Sequence, residues 1–183
     1  NKKIEINKSN IFFKDNLDEI VTIVKVDKAT LFFDDEKQLN LFNLKGNTFG
    51  VPFVFELTTR NDSVINRKSN FHVKSLNLNI ANEFIQEHNN SKYGNNIVSF
   101  INASIKTKYN VKDKLMTFAS DNSKLSGSKI DYSGELLLNP FNLDLNINMG
   151  NYKISKLFNF NSILKEFVKS KLLFNENLSL DLS

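Results

Sequence analysis

From Phe141 to Met149 the chain alternates without exception, Phe141, Leu143, Leu145, Ile147 and Met149 against Asn142, Asp144, Asn146 and Asn148. A period of two gives a strand one apolar and one polar face, so the stretch reads as a half-buried antiparallel strand. Leu136 and Leu138 carry the same logic upstream. Asn139-Pro140 between them marks a corner, because proline lacks a ladder N–H and restricts the residue before it.

The same pattern recurs along most of the chain. Ile4 and Ile6 open a strand that breaks at Asn7-Lys-Ser-Asn10 and resumes at Ile11-Phe12-Phe13. Asn16 to Glu19 reads as a turn, and Ile20 to Val26 is β-branched enough for a strand. Thr30 to Phe33 and Leu39 to Leu44 flank the charged tip Asp34-Asp35-Glu36-Lys37, which predicts a hairpin. Gly46 and Gly50 bracket the next turn. After it Val51, Phe53, Phe55 and Leu57 alternate with Pro52, Val54, Glu56 and Thr58, the proline sitting at the strand start, where its missing donor is tolerated. Phe71 to Ile80 continues as a strand through Leu76, Leu78 and Ile80.

Ala81 to Asn96 is the least regular segment, and Glu83-Phe-Ile-Gln-Glu-His88 reads as a turn or two of helix. Ile97 to Tyr109 returns to strand, with Ile97, Ser99, Ile101, Ala103 and Ile105 on one face. Leu115 to Ala119 and Lys129 to Tyr132 add two more strands around the Ser/Asn/Gly-rich loop Ser120 to Ser128. Past the corner strand, Ile163, Leu164, Phe167 and Val168 recur at helical spacing, so Asn159 to Lys171 predicts one short helix capped by Asn161 or Ser162. Leu178, Leu180 and Leu182 lead back into strand. The fold class expected is therefore all-β and mainly antiparallel, with ten or more strands and one helix near the C-terminus. A sandwich, a barrel and a long open curved sheet all satisfy the pattern.

Composition narrows the function more than the fold. At 183 residues, 40% hydrophobic and 24% charged, the chain is globular, and we read 1–183 as a single β-rich domain. It starts without Met and stops within an alternating stretch, which we read as a segment of a longer protein. No apolar run reaches the ~18 residues of a spanning helix. The formal charge of +4 comes from scattered lysines, with Arg60 and Arg67 the only arginines, so the Arg clusters and stacking platforms of nucleic-acid readers are missing. The absence of cysteine removes disulfides, thiolate catalysis and thiolate metal sites.

Candidate chemistry is sparse. His72 and His88 are the two histidines, and no third ligand or nucleophile stands at a zinc or triad spacing from them. Asp34, Asp35 and Glu36 lack the spaced oxygens and glycine of a calcium loop. Glu56, Asp131, Glu135 and Asp144 lie on or near strands, and no spacing pairs them as a glycosidase acid and base. No metal or cofactor is expected, and the chain is read as a non-enzyme. The positive signal is apolar surface: the 17 phenylalanines are spread over nearly every strand. A sheet must cover its apolar face with a second sheet, a helix or something apolar from outside.

The order of features carries a resemblance. Ser126-Gly-Ser-Lys-Ile-Asp-Tyr-Ser-Gly134, Pro140-Phe141, the alternating strand, a short apolar helix and Leu173-Phe174-Asn175-Glu-Asn-Leu-Ser-Leu-Asp-Leu resemble the AsmA-like family of Gram-negative envelope proteins, the AsmA, TamB and YhdP type. So do Ile4-Glu-Ile-Asn-Lys-Ser-Asn-Ile-Phe-Phe, Leu39-Asn-Leu-Phe-Asn-Leu-Lys-Gly46 and Gly50-Val-Pro-Phe-Val-Phe. The resemblance implies a periplasmic protein anchored in the inner membrane by sequence not present here, whose long taco-like sheet encloses an apolar groove. It also implies a role in phospholipid transfer between the two membranes or in outer-membrane assembly, with acyl chains and outer-membrane assembly proteins as partners and no nucleic acid. The groove residues expected are those of the cleanest alternating faces: Phe53, Phe55, Leu76, Leu78, Phe141, Leu143, Leu145 and Ile147. The competing expectation is a structural or adhesive β-sandwich with a closed core and no lipid.

Overall fold

Alternation becomes strand almost wherever it occurs. In the computed structural model, which describes residues 1–88 and 90–150, the described residues form twelve strands in antiparallel ladders and one short 3-10 turn. The chain divides into two compact units, Asn1–Ile101 and Asn102–Ser183.

The first unit is a meander of seven strands, each bonded to the next: β1 (Lys2–Lys14), β2 (Ile20–Asp34), β3 (Leu39–Thr48), β4 (Val51–Asn61), β5 (Ile65–Val73), β6 (Leu78–Gln86) and β7 (Lys92–Phe100). In the second unit come β8 (Ala103–Lys112), β9 (Leu115–Ser120), β10 (Ser123–Leu125), β11 (Ser128–Leu138) and β12 (Phe141–Asn148). Here β8 pairs with β9 along one stretch and with β10 along another, and both of these pair with β11, which also pairs with β12. The β11–β12 corner turns through a cis Asn139-Pro140 peptide, where the sequence placed it.

Register sorts the side chains, because residues directly opposite in a ladder share a face. In the first unit one row runs Ile6, Ala29, Leu44, Phe55, Phe71, Ile80 and Val98, apolar across all seven strands. The row on the opposite face runs Asn7, Lys28, Lys45, Val54, His72, Asn79 and Ser99.

A bulge between Val26 and Lys28 against β3 keeps the apolar set on its face on both sides of the irregularity. Next to it, Gly46 stands between Val26 and Phe53, and a Cβ there would lie 2.7 Å from the Lys25 carbonyl oxygen and 3.2 Å from Phe53 Cζ. The Phe53 ring thus lies over a strand glycine, with Phe71 at 5.3 Å between centroids. The unit's most buried apolar side chains, Val26, Ala29, Phe53 and Val73, cluster here.

The second unit repeats the device. Tyr109, Phe118, Gly134 and Leu145 form one row, and Phe118 Cζ sits 2.7 Å from where a Gly134 Cβ would stand. Beside it the Ser123 hydroxyl, fully buried, accepts the Lys106 N–H at 2.8 Å and donates to the Lys106 carbonyl at 2.9 Å. Tyr132 donates to the same carbonyl at 3.0 Å, which closes the gap between β10 and β8 with satisfied polar groups.

Several expectations are corrected. Asn7 to Asn10 does not interrupt a strand: β1 runs through it, with Lys8 at φ 51 absorbing the irregularity, and β2 likewise is continuous from Ile20 to Asp34. Gly46 is strand, and only Phe49 and Gly50 turn. Glu83 to Gln86 belongs to β6 rather than a helix, since Leu78, Ile80, Asn82 and Phe84 already alternate on one face, and Asn82 obscured the period. Ile97 to Tyr109 is not one strand, because the chain turns at Ile101, φ 48, so Ile97 and Ser99 fall on the polar face. Leu76 lies in the 3-10 turn Lys74–Leu76, ahead of Asn77 in the left-handed region, and not in a strand. The expected helix at 159–171 and the strand after it fall outside the described residues.

Candidate apolar face and polar hollows

The described residues of each unit form one hydrogen-bonded layer with an apolar face. In the first unit Phe53, Phe55 and Leu78 stand on that face as expected, joined by Leu44, Phe71 and Ile80. Aromatic contacts knit it laterally, Phe42 against Phe55 at 6.1 Å and Phe53 against Phe71. Most of these side chains are half-buried by their neighbours, while at the β1 edge Ile4, Ile6, Ile11 and Phe13 are 43 to 52% exposed. The face is not apolar throughout: Ser69, Asn82 and Asn96 lie side by side on it in β5 to β7.

In the second unit Phe141, Leu143, Leu145 and Ile147 stand half-buried on one face of β12, opposite Leu138, Leu136, Gly134 and Tyr132. Leu76 stands apart, 46% exposed at the strand ends. The eight expected residues therefore divide into seven strand residues on apolar faces and one turn residue. Sequence reasoning did not single out Leu44, Phe71, Ile80 and Val98; Leu44 and Phe71 stand between polar neighbours and were legible by the same rule, whereas Ala81 beside Ile80 and Ile97 beside Val98 blur the period.

The polar face of the first unit holds a hollow of about 320 Å³ lined by Glu56, Thr58, Lys68, Asn70, Glu83 and Asn95 among others. Two of its charges pair with each other: Glu83 accepts from Lys68 at 3.0 Å, and also from Asn66 at 3.2 Å. Those hydrogen bonds, from Lys68 first, hold the Glu83 carboxyl below the usual glutamate range. Such a group stays ionised near neutrality and is unsuited to giving up a proton. Glu87 and Tyr93 form a similar surface pair at 2.9 Å, which pushes the phenol up.

The structure does pair two of the four candidate carboxylates. Glu135 of β11 lies directly opposite Asp144 of β12, and both line a hollow of about 160 Å³ with Leu115, Leu137 and Asn142. That volume is well under the roughly 300–1,000 Å³ of small-molecule sites. Glu56 and Asp131 lie elsewhere, in different units. His72 pairs opposite Asn79 at the start of β6 while His88 follows that strand's end, some nine residues on, roughly 30 Å at a strand's rise. Among the described residues no group of three or more His, Cys, Asp or Glu gathers as a metal site. Nor does any helix among them have the length and apolarity to cross a membrane. Compared with family models, curated proteins and solved structures, the chain gives no match.

Proposed function

We propose that this chain is a segment of an AsmA-like envelope protein whose apolar strand faces form a taco-like groove for phospholipid acyl chains. In this reading it works in the periplasm, tethered to the inner membrane by sequence outside the segment, and serves phospholipid transfer or outer-membrane assembly. One observation supports it above the rest: the seven-strand row Ile6, Ala29, Leu44, Phe55, Phe71, Ile80 and Val98, backed by a polar row on the reverse face. Each methylene moved from water onto such a surface gains about 0.8 kcal/mol, without direction or chemistry, so an acyl chain is held firmly and still slides. Phe55 and Phe71 at the centre of the row, and Leu143 and Leu145 in the second unit, are the residues assigned to that contact.

The test is binding of a fluorescent fatty acid to the purified chain, with mass spectrometry of lipid carried through purification. Phe55→Asp in the first unit and Leu145→Asn in the second are expected to weaken binding about tenfold each, the equivalent of ~1.4 kcal/mol. Asn43→Asp, on the polar face, is expected to leave it unchanged. A chain that carries no lipid and takes up no fatty acid is a structural or adhesive domain instead.

A further inference from the structure

The two rims of the first unit, where strands end and turn, differ in chemistry. At one rim the turns are Asp35 to Gln38, Asp62 to Val64 and the segment between β6 and β7 with Glu87 and Asn90, all polar apart from half-buried Val64. At the other rim every turn carries an exposed large apolar residue: Leu17 at 80%, Phe49 at 77%, Leu76 at 46% and Ile101 at 55%. None of these four contributes to a core.

Two occupy backbone conformations that oppose them. Phe49 and Gly50 have φ 50 and φ 79 between the paired Thr48 and Val51, the two-residue turn in which Asn-Gly is the preferred sequence. Ile101, β-branched, sits at φ 48. Elsewhere among the described residues the non-glycine positions of this kind are all polar: Lys8, Asp18, Gln38, Asn77, Asn90, Asp113, Asn122 and Ser126. The apolar choice at the rim is made against local preference, which points to a use outside the fold.

We propose that this rim, led by Leu17 and Phe49, seats the protein on the interface of a zwitterionic phospholipid bilayer. Adjacent turns stand two strands apart, about 10 Å, and the ladder sets the Phe49 turn beside Ile23, roughly 10 Å along the strand short of the Leu17 turn, so a surface inclined to the strands meets both tips with exposed Ile20 and Val21 between them. Leu17 is held outward by its turn. Asp15 Oδ1 accepts the Leu17 and Glu19 N–H groups at 2.8 and 3.0 Å, and Lys14 pairs with Asp18 at 2.9 Å.

Around the two tips the sheet is apolar on both sides, with Phe13 and Ile20 on one face and Phe12 and Ile23 on the other, each at least 40% exposed. Protruding tips separated by polar backbone suit the headgroup boundary, which accepts them without a matching pocket and still hydrates the turn's N–H and C=O groups. The charges match as well. Lys14, paired with Asp18, is the one cation beside Asp15, Asp18 and Glu19 in this turn, a net-acidic surround that disfavours an anionic surface and leaves a zwitterionic one. This site goes beyond the acyl-groove reading and uses other residues, so either can fail without the other.

The experiment is flotation of the full chain with phosphatidylcholine vesicles, beside fatty-acid binding and sedimentation on the same samples. The native chain is expected to float with the vesicles equally at low and high salt. Leu17→Asn with Phe49→Asn is expected to partition about five- to tenfold more weakly while its thermal midpoint holds or rises and its fatty-acid binding is unchanged. A native chain that stays at the bottom of the gradient overturns the proposal, as does a double variant that floats as well as the native chain. Self-association that the double variant abolishes, without vesicle binding, would reassign the rim to a second copy of the chain.

Discussion

Phe49 and Gly134 show how far single residues set this fold. The Phe49-Gly50 turn asks for positive φ at both positions, and Asn tolerates it where Phe does not. Phe49→Asn is therefore expected to stabilise the chain by roughly 1 kcal/mol, seen as a raised denaturation midpoint with unchanged slope. Gly134 is the opposite case. A Cβ there would overlap the Asp144 carbonyl oxygen as well as crowd Phe118, and neither backbone nor ring has room to withdraw. Gly134→Ala is expected to destabilise by roughly 1–3 kcal/mol in the same experiment, with the equivalent change at Gly46 milder because only one backbone atom opposes it. Gly46 read as a turn residue in sequence, and nothing there gave Gly134 a role. Their real function, letting an aromatic ring lie across a neighbouring strand, depends on a register that no local pattern reveals.

At the level of elements, the alternating strands were legible and their ends were not. Phe141 to Asn148 and Val51 to Thr58 fold as read, because a half-buried strand has no other way to satisfy its period. Glu83 to Gln86 was misread since Asn82 takes an apolar position and leaves Phe84 and Ile85 looking helical. Ile101 was misread for the converse reason, an apolar residue in a turn, and that misreading is the same fact that marks the rim. Much of the apolar face was within reach of sequence, whereas the pairing of Glu135 with Asp144 required the register. Cross-strand electrostatics yield a further expectation at this scale. Hydrogen bonding from Lys68 first, then Asn66, holds the Glu83 carboxyl below the ordinary glutamate value of about 4.5, so the contribution of that group is present above about pH 4.5 and lost as pH falls through the lowered value. Urea denaturation of Glu83→Gln beside the native chain is expected to show a deficit near neutrality that narrows toward pH 3. The pair is solvent-facing and the deficit correspondingly small.

For the molecule as a whole, few apolar side chains among the described residues are fully buried, and the face that a sandwich would bury against a second sheet is mostly half-buried by its own neighbours. Stability then rests on the ladders and on lateral contacts within the face, such as Phe53 with Phe71, more than on a deep core. A bound acyl chain would supply part of the missing cover and should raise the thermal midpoint with the logarithm of its concentration, a mass-action signature that separates real occupancy from nonspecific coating.

In the first unit each strand is paired only with those before and after it in the chain. Loop-closure entropy is therefore small at every step, and folding can start at any hairpin and spread outward as a zipper does, with no distant meeting required. Such an array melts by fraying. Hydrogen exchange is expected to show β1 opening first and protection rising stepwise toward β4, where an all-or-none domain would exchange at one common free energy.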